Sequence, residues 1–141
     1  MSATAESATV QLRTLGQIAL TVRDLAVSTA FYRDTLGMMF LFDAGSMTFF
    51  QCDSVRLLLG TAEGDHSNSQ FLGSSTILYF RVDDLPQTHA NLVARGVTFS
   101  EAPHLVAKMH DHDLWMAFLK DPDGNTIGLM NEVRSSSDKE I

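Results

Sequence analysis

Two stretches of the chain repeat the same order of apolar and polar positions, about 60 residues apart. Each stretch begins with a short apolar run, typical of a β-strand, and then reaches an Asp-Leu pair that starts at Asp24 or at Asp84. An amphipathic helical pattern follows and stops at a glycine, Gly37 in the first stretch and Gly96 in the second. This internal repetition predicts two copies of one supersecondary unit.

The local helix signals are similar in both copies. Asp24 and Asp84 suit the N-cap position, because a carboxylate accepts the free N–H groups of the first turn and complements the positive helix end. Asp84 and Gln87 also form a capping-box pattern, and Pro86 stands in the first turn, where an N–H is not needed. The helical spacing predicts a buried face on each helix, consisting of Val27, Ala30 and Phe31 in the first and of His89, Leu92 and Val93 in the second.

Three further strand candidates follow each helix. In the first copy they span residues 38–43, 47–52 and 55–59, and in the second copy residues 97–100, 114–120 and 126–131. The segment DPDGN, residues 121–125, joins the last two as a tight turn, in which Pro122 takes the second position and Gly124 supplies a positive φ. Each copy therefore reads β-α-β-β-β, and the chain is predicted to have an α+β fold.

Two such tandem modules, residues 15–60 and 76–132, form one predicted domain, 15–132. We expect a curved mixed sheet with the helices on its convex side and a cup on its concave side, and such a cup is the default place for a ligand. Residues 61–75 are polar and rich in Gly and Ser, which predicts a flexible linker. Residues 1–14 and 133–141 are predicted to be flexible ends.

Composition and charge argue against several classes of partner. The net charge is −7 and the Lys and Arg residues form no basic stripe, which argues against nucleic acid and against an anionic membrane surface. No window approaches the roughly 18 apolar residues of a membrane span, and the first residues carry no signal-peptide pattern. The single cysteine, Cys52, cannot form an internal disulfide and indicates a reducing, cytoplasmic setting. It is interpreted as a small core residue rather than a catalytic nucleophile.

The first opening IALTVRDLAVSTAFYRDTLGM, the second opening YFRVDDL and the ending FLKDPDGNTIGLMNE resemble the vicinal oxygen chelate superfamily. This group is also called the glyoxalase / bleomycin resistance / extradiol dioxygenase superfamily. The resemblance covers roughly residues 15–132 and implies the paired-module fold. It implies no single activity, because this fold hosts lyases, isomerases, dioxygenases, thiol transferases and pure binding proteins.

The resemblance also implies where a metal would lie. Many members hold one divalent metal in the cup, with His, Glu or Gln ligands from the first and last strands of each module. Carried over position by position, these ligands fall on Gln17, on Ile77, on Gly128 and on one residue within 55–59. Only Gln17 could coordinate, whereas a divalent ion normally needs at least three protein ligands. We therefore expect no metal cofactor, with one divalent ion in an unusual site as the alternative.

The expected cup is apolar. Besides Gln17, the positions that the resemblance turns inward are Leu57, Leu59, Ile77 and Gly128. Trp115, the only tryptophan, either stacks on a planar ligand there or packs in the core. Arg56 and Arg81 alternate with apolar neighbours and are expected to face away from the core. An arginine turned into the cup would indicate an anionic ligand.

The segment PHLVAKMHDHDLW contains a second group of candidates. In an extended chain His110 and His112 point the same way, and Asp111 and Asp113 lie beside them. Three interpretations remain open for these histidines. They belong to a solvated loop near the cup mouth, or one of them contacts substrate or acts as a general acid or base, or they hold a metal outside the usual positions.

The sequence leaves three functions open. The first is a metal-free protein that binds a small apolar or aromatic molecule, similar to bleomycin resistance proteins and, like them, a homodimer. The second is an enzyme, either a glyoxalase-like lyase or isomerase or a dioxygenase-like protein, that uses His110 or His112 or an unusual metal site. The third is a structural or interaction domain whose cup is filled.

Overall fold

The computed structural model describes residues 10–61 and 76–134, in which two four-stranded sheets each carry a helix on one face. The first module consists of β1 (Gln17–Thr21), α1 (Leu25–Ala30), a π-helical turn (Phe31–Thr35), β2 (Met39–Asp43), β3 (Met47–Cys52) and β4 (Val55–Gly60). The second consists of β5 (Leu78–Arg81), α2 (Leu85–Ala94), β6 (Phe99–Lys108), β7 (Asp113–Lys120) and β8 (Thr126–Val133). The predicted α+β fold with two β-α-β-β-β modules is confirmed. Most of the predicted linker and ends fall on residues 1–9, 62–75 and 135–141, outside the described residues.

Both sheets have the same strand order, β1-β4-β3-β2 and β5-β8-β7-β6, and the first strand of each module runs parallel to the last. Side chains alternate between the two faces of a strand. Each sheet therefore has a helix face, covered by its own helix, and an opposite face that we call the open face. Leu20 and Leu59 meet on the first helix face, whereas Gln17 and Arg56 meet on the first open face. The open faces are the sides of the two sheets opposite the helices, which is where the sequence predicts the cup.

The core lies between the helices and the helix faces of the two sheets. Its completely buried side chains include Tyr32, Phe50, Leu59 and Leu119, and residues of both modules form one continuous cluster. Burying a large apolar side chain stabilises a fold by about 1.5–3 kcal/mol. The two modules therefore stabilise each other.

Both predicted N-caps are confirmed. The carboxylates of Asp24 and Asp84 accept hydrogen bonds from the N–H groups of Val27 and Gln87, each at 3.1 Å. The glycine that follows each helix has a positive φ, as predicted. Within the described ranges, neither helix is long and apolar enough to cross a membrane.

The predicted buried faces of the helices are wrong in part, because Val27 and Val93 are each 50% exposed. In the first module the buried residues of α1 are Ser28 and Thr29 rather than Val27, and the π-helical turn that begins at Phe31 buries Tyr32 completely. In the second helix the buried stripe instead consists of Leu85 and Leu92.

β6 is longer than the sequence predicted. The sequence predicts a strand over residues 97–100, whereas β6 spans Phe99–Lys108 and pairs with β7, with three register shifts. Pro103 lies inside it, and Pro normally argues against a strand because it cannot donate to the ladder. β6 tolerates Pro103 because it is the edge strand of its sheet.

The DPDGN turn fixes the two modules to each other. The buried hydroxyl of Tyr32 donates a hydrogen bond of 2.7 Å to the Asp121 carboxylate. The Asp123 carboxylate accepts two more, from the Ser28 hydroxyl at 3.0 Å and from the Arg23 N–H at 2.9 Å. The turn of the second module is thereby bound to the first helix of the same chain.

Candidate functional site

The open face of the first module has a polar row of side chains beside an apolar row. The polar row crosses three strands through the paired positions Gln17, Arg56 and Gln51, and Met39 continues it on β2. The next row consists of Ala19, Leu58, Phe49 and Phe42. Two neighbouring rows of this kind can hold a molecule that has a flat apolar body and a polar edge.

Aromatic contacts order this first open face. The rings of Phe42 and Phe49 are stacked, with their centroids 4.6 Å apart. The guanidinium carbon of Arg56 lies 5.8 Å from the centroid of the Phe49 ring, within the range of a cation–π contact. The charged end of Arg56 is therefore held over the open face rather than directed away from it.

On the open face of the second module, Gly128 lies under an aromatic ring. A β-carbon at position 128 would be 2.6 Å from Cδ2 and 2.8 Å from Cε2 of Tyr79, and 3.1 Å from Cε1 of Phe118. The rings of Tyr79 and Phe118 meet edge to face with their centroids 5.9 Å apart. Position 128 therefore has no room for a side chain unless Tyr79 moves.

The strand register identifies the fourth position at which the resemblance implies a metal ligand. Ala19 and Tyr79 are equivalent in the repeat, since each precedes its Asp-Leu pair by the same number of residues. Ala19 pairs with Leu58, and Tyr79 pairs with Gly128, so Leu58 is the repeat partner of Gly128.

The residues at these four positions do not fit a divalent metal. They are Gln17, Leu58, Ile77 and Gly128, of which only Gln17 has a donor atom in its side chain. At Gly128 the Tyr79 ring occupies the space that a ligand side chain would need. Moreover, no group of three or more His, Cys, Asp or Glu residues that could hold a metal occurs within the described ranges.

Leu57 and Leu59 do not line the open face, so their predicted place in the cup is wrong. They are only 2% and 0% exposed and belong to the core. Leu58 points the other way because side chains alternate along β4. Of the remaining predicted positions, Gln17 lies on the first open face and is exposed, and Ile77 lies just before β5 and is also exposed.

Trp115 also lies on the helix side rather than in the predicted cup. It pairs with Asn131 on β8 and packs against the core. An apolar cleft there is lined by Trp115 together with Leu85, Pro86, Pro103, Asn131 and Val133. The position of Trp115 therefore matches packing in the core rather than stacking on a ligand in the cup.

The His110 and His112 loop joins β6 to β7 at one end of the second sheet. The Asp111 carboxylate lies 2.7 Å from Nδ1 of His112 and 3.1 Å from the guanidinium of Arg134. The contact with His112, followed by the charge of Arg134, holds the pKa of Asp111 below its usual range.

This loop is not close to Gly128. Val133 pairs with Asp113 and Gly128 pairs with Phe118, so the start of β7 lies roughly 17 Å along the strand from Gly128. The His110 and His112 loop therefore lies at the opposite end of the second sheet from Gly128.

Sequence reasoning did not assign three polar residues, His104, Arg56 and Arg81, to the open faces. His104 pairs with Met116, and its ring centroid lies 6.5 Å from that of Phe118. It was missed because β6 was expected to end before it. Arg56 and Arg81 lie on the open faces, the side of the predicted cup, whereas the sequence leads us to expect them to point away from an apolar cup. Neither arginine forms an ion pair within the part of the chain that the structure describes.

A separate apolar cleft lies where the two modules meet, on the helix side of the second sheet. It contains about 490 Å³ of space, part of which is open to solvent. Its lining is Leu36, Met38, Phe80, Val82, Thr88, Leu92, Ile127 and Leu129. Because Thr88 is the one polar side chain among its described lining residues, this cleft offers little chemistry beyond the burial of an apolar group.

Comparisons with known proteins agree with this architecture. A family model described as Glyoxalase/Bleomycin resistance protein/Dioxygenase superfamily matches residues 14–129. The uncharacterized protein YraH of Bacillus subtilis (strain 168) is 29% identical over 124 residues, which cover 79% of this chain and 92% of that protein.

Solved structures share the fold. Lactoylglutathione lyase from Agrobacterium tumefaciens superposes with a TM-score of 0.69 at 21% identity and covers 86% of this chain and 95% of that one. TnmS3, an antibiotic binding protein from Streptomyces sp. CB03234, gives a TM-score of 0.66 at 25% identity, with coverages of 90% and 100%. One shared architecture thus accommodates both a lyase and a binding protein.

Proposed function

Because this chain belongs to the glyoxalase/bleomycin resistance protein/dioxygenase superfamily, we propose that it binds a small apolar or aromatic molecule on its open faces without a divalent metal. The observation that carries this proposal is the position of Tyr79 across Gly128. There, the resemblance implies a carboxylate ligand in metal-dependent members. In this chain position 128 has no side chain, and the aromatic ring of Tyr79 covers it instead.

Exposed apolar side chains support the binding part of the proposal. Met39, Phe42 and Met47 on the first open face, and Tyr79 on the second, are all exposed large hydrophobic residues. Large apolar groups gathered on one surface are typical of a ligand site or an interface. The antibiotic binding protein TnmS3, which has the same fold, is consistent with this class of function.

The enzymatic alternative has less support. No contact among the described residues brings His110 or His112 to the open-face rows, so no acid or base from that loop is assigned to a reaction. Homodimer formation and a cytoplasmic setting remain parts of the proposal. A second copy could cover exposed residues such as Met39 and Phe42, and light scattering coupled to size exclusion would measure the oligomeric state.

Elemental analysis combined with ligand binding tests the proposal. Protein purified without chelator or affinity tag is expected to contain Zn, Ni, Mn and Fe far below one ion per chain. It is also expected to bind flat apolar probes, with NMR shift changes at Phe49, Leu58 or Tyr79. One ion per chain, whose removal abolishes ligand binding or a measured activity, would overturn the metal-free assignment.

A further inference from the structure

We infer that the ligand of the first open face carries an anionic group, most simply a carboxylate on a planar aromatic body, and that Arg56 binds this group. The inference rests on the proposed function, because it names the chemical class of the molecule that the open face binds. It follows from three features of the described residues: the position of Arg56 in its row, the state of its charge and the apolar surface beside it.

The first feature is the position of Arg56 between two amides. Gln17 on β1 and Gln51 on β3 are its direct partners across the sheet. The Gln51 amide donates to the Asp53 carbonyl, so it is already engaged. The Gln17 amide is exposed and can donate a further hydrogen bond to an oxygen that Arg56 binds.

The second feature is the unpaired charge of Arg56. The chain carries a net charge of −7, so carboxylates are abundant, yet Arg56 forms no ion pair with any described residue. Among the described residues, the contact found for its guanidinium is the cation–π contact with the Phe49 ring, at 5.8 Å from the ring centroid. A guanidinium packed on a ring can still direct its N–H groups at a planar anion, and two such N–H groups match the two oxygens of a carboxylate.

The third feature is the apolar row next to Arg56. Leu58 and Phe49 follow Arg56 and Gln51 one row further along the sheet, and Phe42 stacks on Phe49. A ring system that contacts this row would place an attached carboxylate next to Arg56. Arg81, on the other open face, has no such aromatic contact among the described residues, and we therefore assign the anion to Arg56.

Arg33 provides a matched control. Its guanidinium carbon also lies 5.8 Å from the centroid of a phenylalanine ring, that of Phe40, and it is also exposed. Unlike Arg56, it forms an ion pair of 2.9 Å with Asp34, and Phe40 pairs with Phe50 on the helix face. Arg33→Gln therefore removes the same charge and the same kind of ring contact away from the open face.

The experiment measures the binding of 2-naphthoate and of uncharged 2-naphthamide by calorimetry. In Arg56→Gln, we expect naphthoate binding to weaken by at least about tenfold, the loss typical of charge-assisted hydrogen bonds. Naphthamide binding is expected to stay within about twofold of wild type. Arg33→Gln should leave the binding of both probes unchanged, and Arg56→Lys should retain part of the preference for naphthoate.

The outcomes separate this inference from the proposed function. If both probes bind wild type equally well and Arg56→Gln changes neither, the anion assignment is wrong while apolar binding stands. If Arg56→Gln weakens both probes by the same factor, Arg56 supports packing only and the inference also fails. If neither probe binds wild type, both proposals fail for aromatic ligands. Thermal unfolding of each variant confirms that it is folded before binding is compared.

Discussion

The hydroxyl of Tyr32, in the π-helical turn that follows α1, donates a buried hydrogen bond of 2.7 Å to Asp121 of the DPDGN turn in the second module. The same carboxylate accepts hydrogen bonds from the N–H groups of Asp123 and Asn125 and from the Asn125 side chain. The turn is thus organised around one carboxylate, and Tyr32 connects that carboxylate to the other module. The segment that reveals the family in the sequence is also the segment that joins the two repeats.

Replacing Tyr32 with Phe is expected to destabilise the protein by about 1.5–3 kcal/mol, because a buried charged acceptor loses one of its donors. Urea unfolding followed by circular dichroism would measure the change. Tyr79→Phe is the control, since Tyr79 is 46% exposed and its hydroxyl forms no hydrogen bond with any described residue. It should change the free energy of unfolding by less than about 0.5 kcal/mol. Equal effects of the two substitutions would contradict the role assigned to Tyr32.

The same tyrosine predicts a loss of stability in alkali. Burial, and then the nearby charge of Asp121, raises the pKa of Tyr32 well above its ordinary value of 10.0. Above pH 10 the unfolded chain loses this proton and the folded chain keeps it, so the folded state binds more protons. The contribution of Tyr32 to the free energy of unfolding is therefore fully present below pH 10. Above pH 10 it falls by about 1.4 kcal/mol per pH unit.

Tyr32→Phe lacks this proton, and its free energy of unfolding should decline less steeply between pH 10 and 11 than that of wild type. Unfolding by urea at several pH values gives both slopes. The thiol of Cys52 is present in both proteins and cancels in the comparison. Parallel curves for the two proteins would show that Tyr32 ionises equally easily in the folded and unfolded states.

The order of the elements could be predicted from the sequence, whereas the facing of some strands could not. β4 contains three consecutive leucines, so its sequence shows no alternation that would distinguish the two faces. Only its pairing with β1 places Leu58 on the open face and Leu57 and Leu59 in the core. The resemblance therefore assigned Leu57 and Leu59 of β4 to the cup, one position to either side of Leu58, the residue that faces it.

Gly128 shows a second limit of sequence reasoning. The sequence marks it as a position where a ligand is missing, but the reason lies in Tyr79, which is distant in the chain and adjacent in the sheet. The length of the edge strand β6 is not predicted from the sequence for a similar reason. Its pairing with β7 outweighs the unfavourable effect of Pro103 on strand formation. In both cases the information is in contacts between strands, not in local preference.

Cys52 is expected to be a poorly reactive thiol. Burial, and secondarily the negative charge of Asp53, raises its pKa above the usual range, so little thiolate is present near neutral pH. Alkylation by iodoacetamide should be slower than that of glutathione at pH 8. Asp53→Asn should speed it slightly, and Asn suits the positive φ of this position. A reaction faster than that of glutathione would contradict the interpretation of Cys52 as an inert core residue.

Gly128→Ala should destabilise the protein by about 1–3 kcal/mol, because its β-carbon would approach the Tyr79 ring to 2.6 Å. In a Tyr79→Ala background the ring is absent, and the same substitution should cost about 1 kcal/mol less. Gly16→Ala is the control: its φ is not in the left-handed region and no atom lies near its added carbon, so stability should change by less than about 0.5 kcal/mol. Additive effects of Gly128→Ala and Tyr79→Ala would show that Tyr79 does not exclude a side chain at 128, and the metal-free proposal would lose its main support.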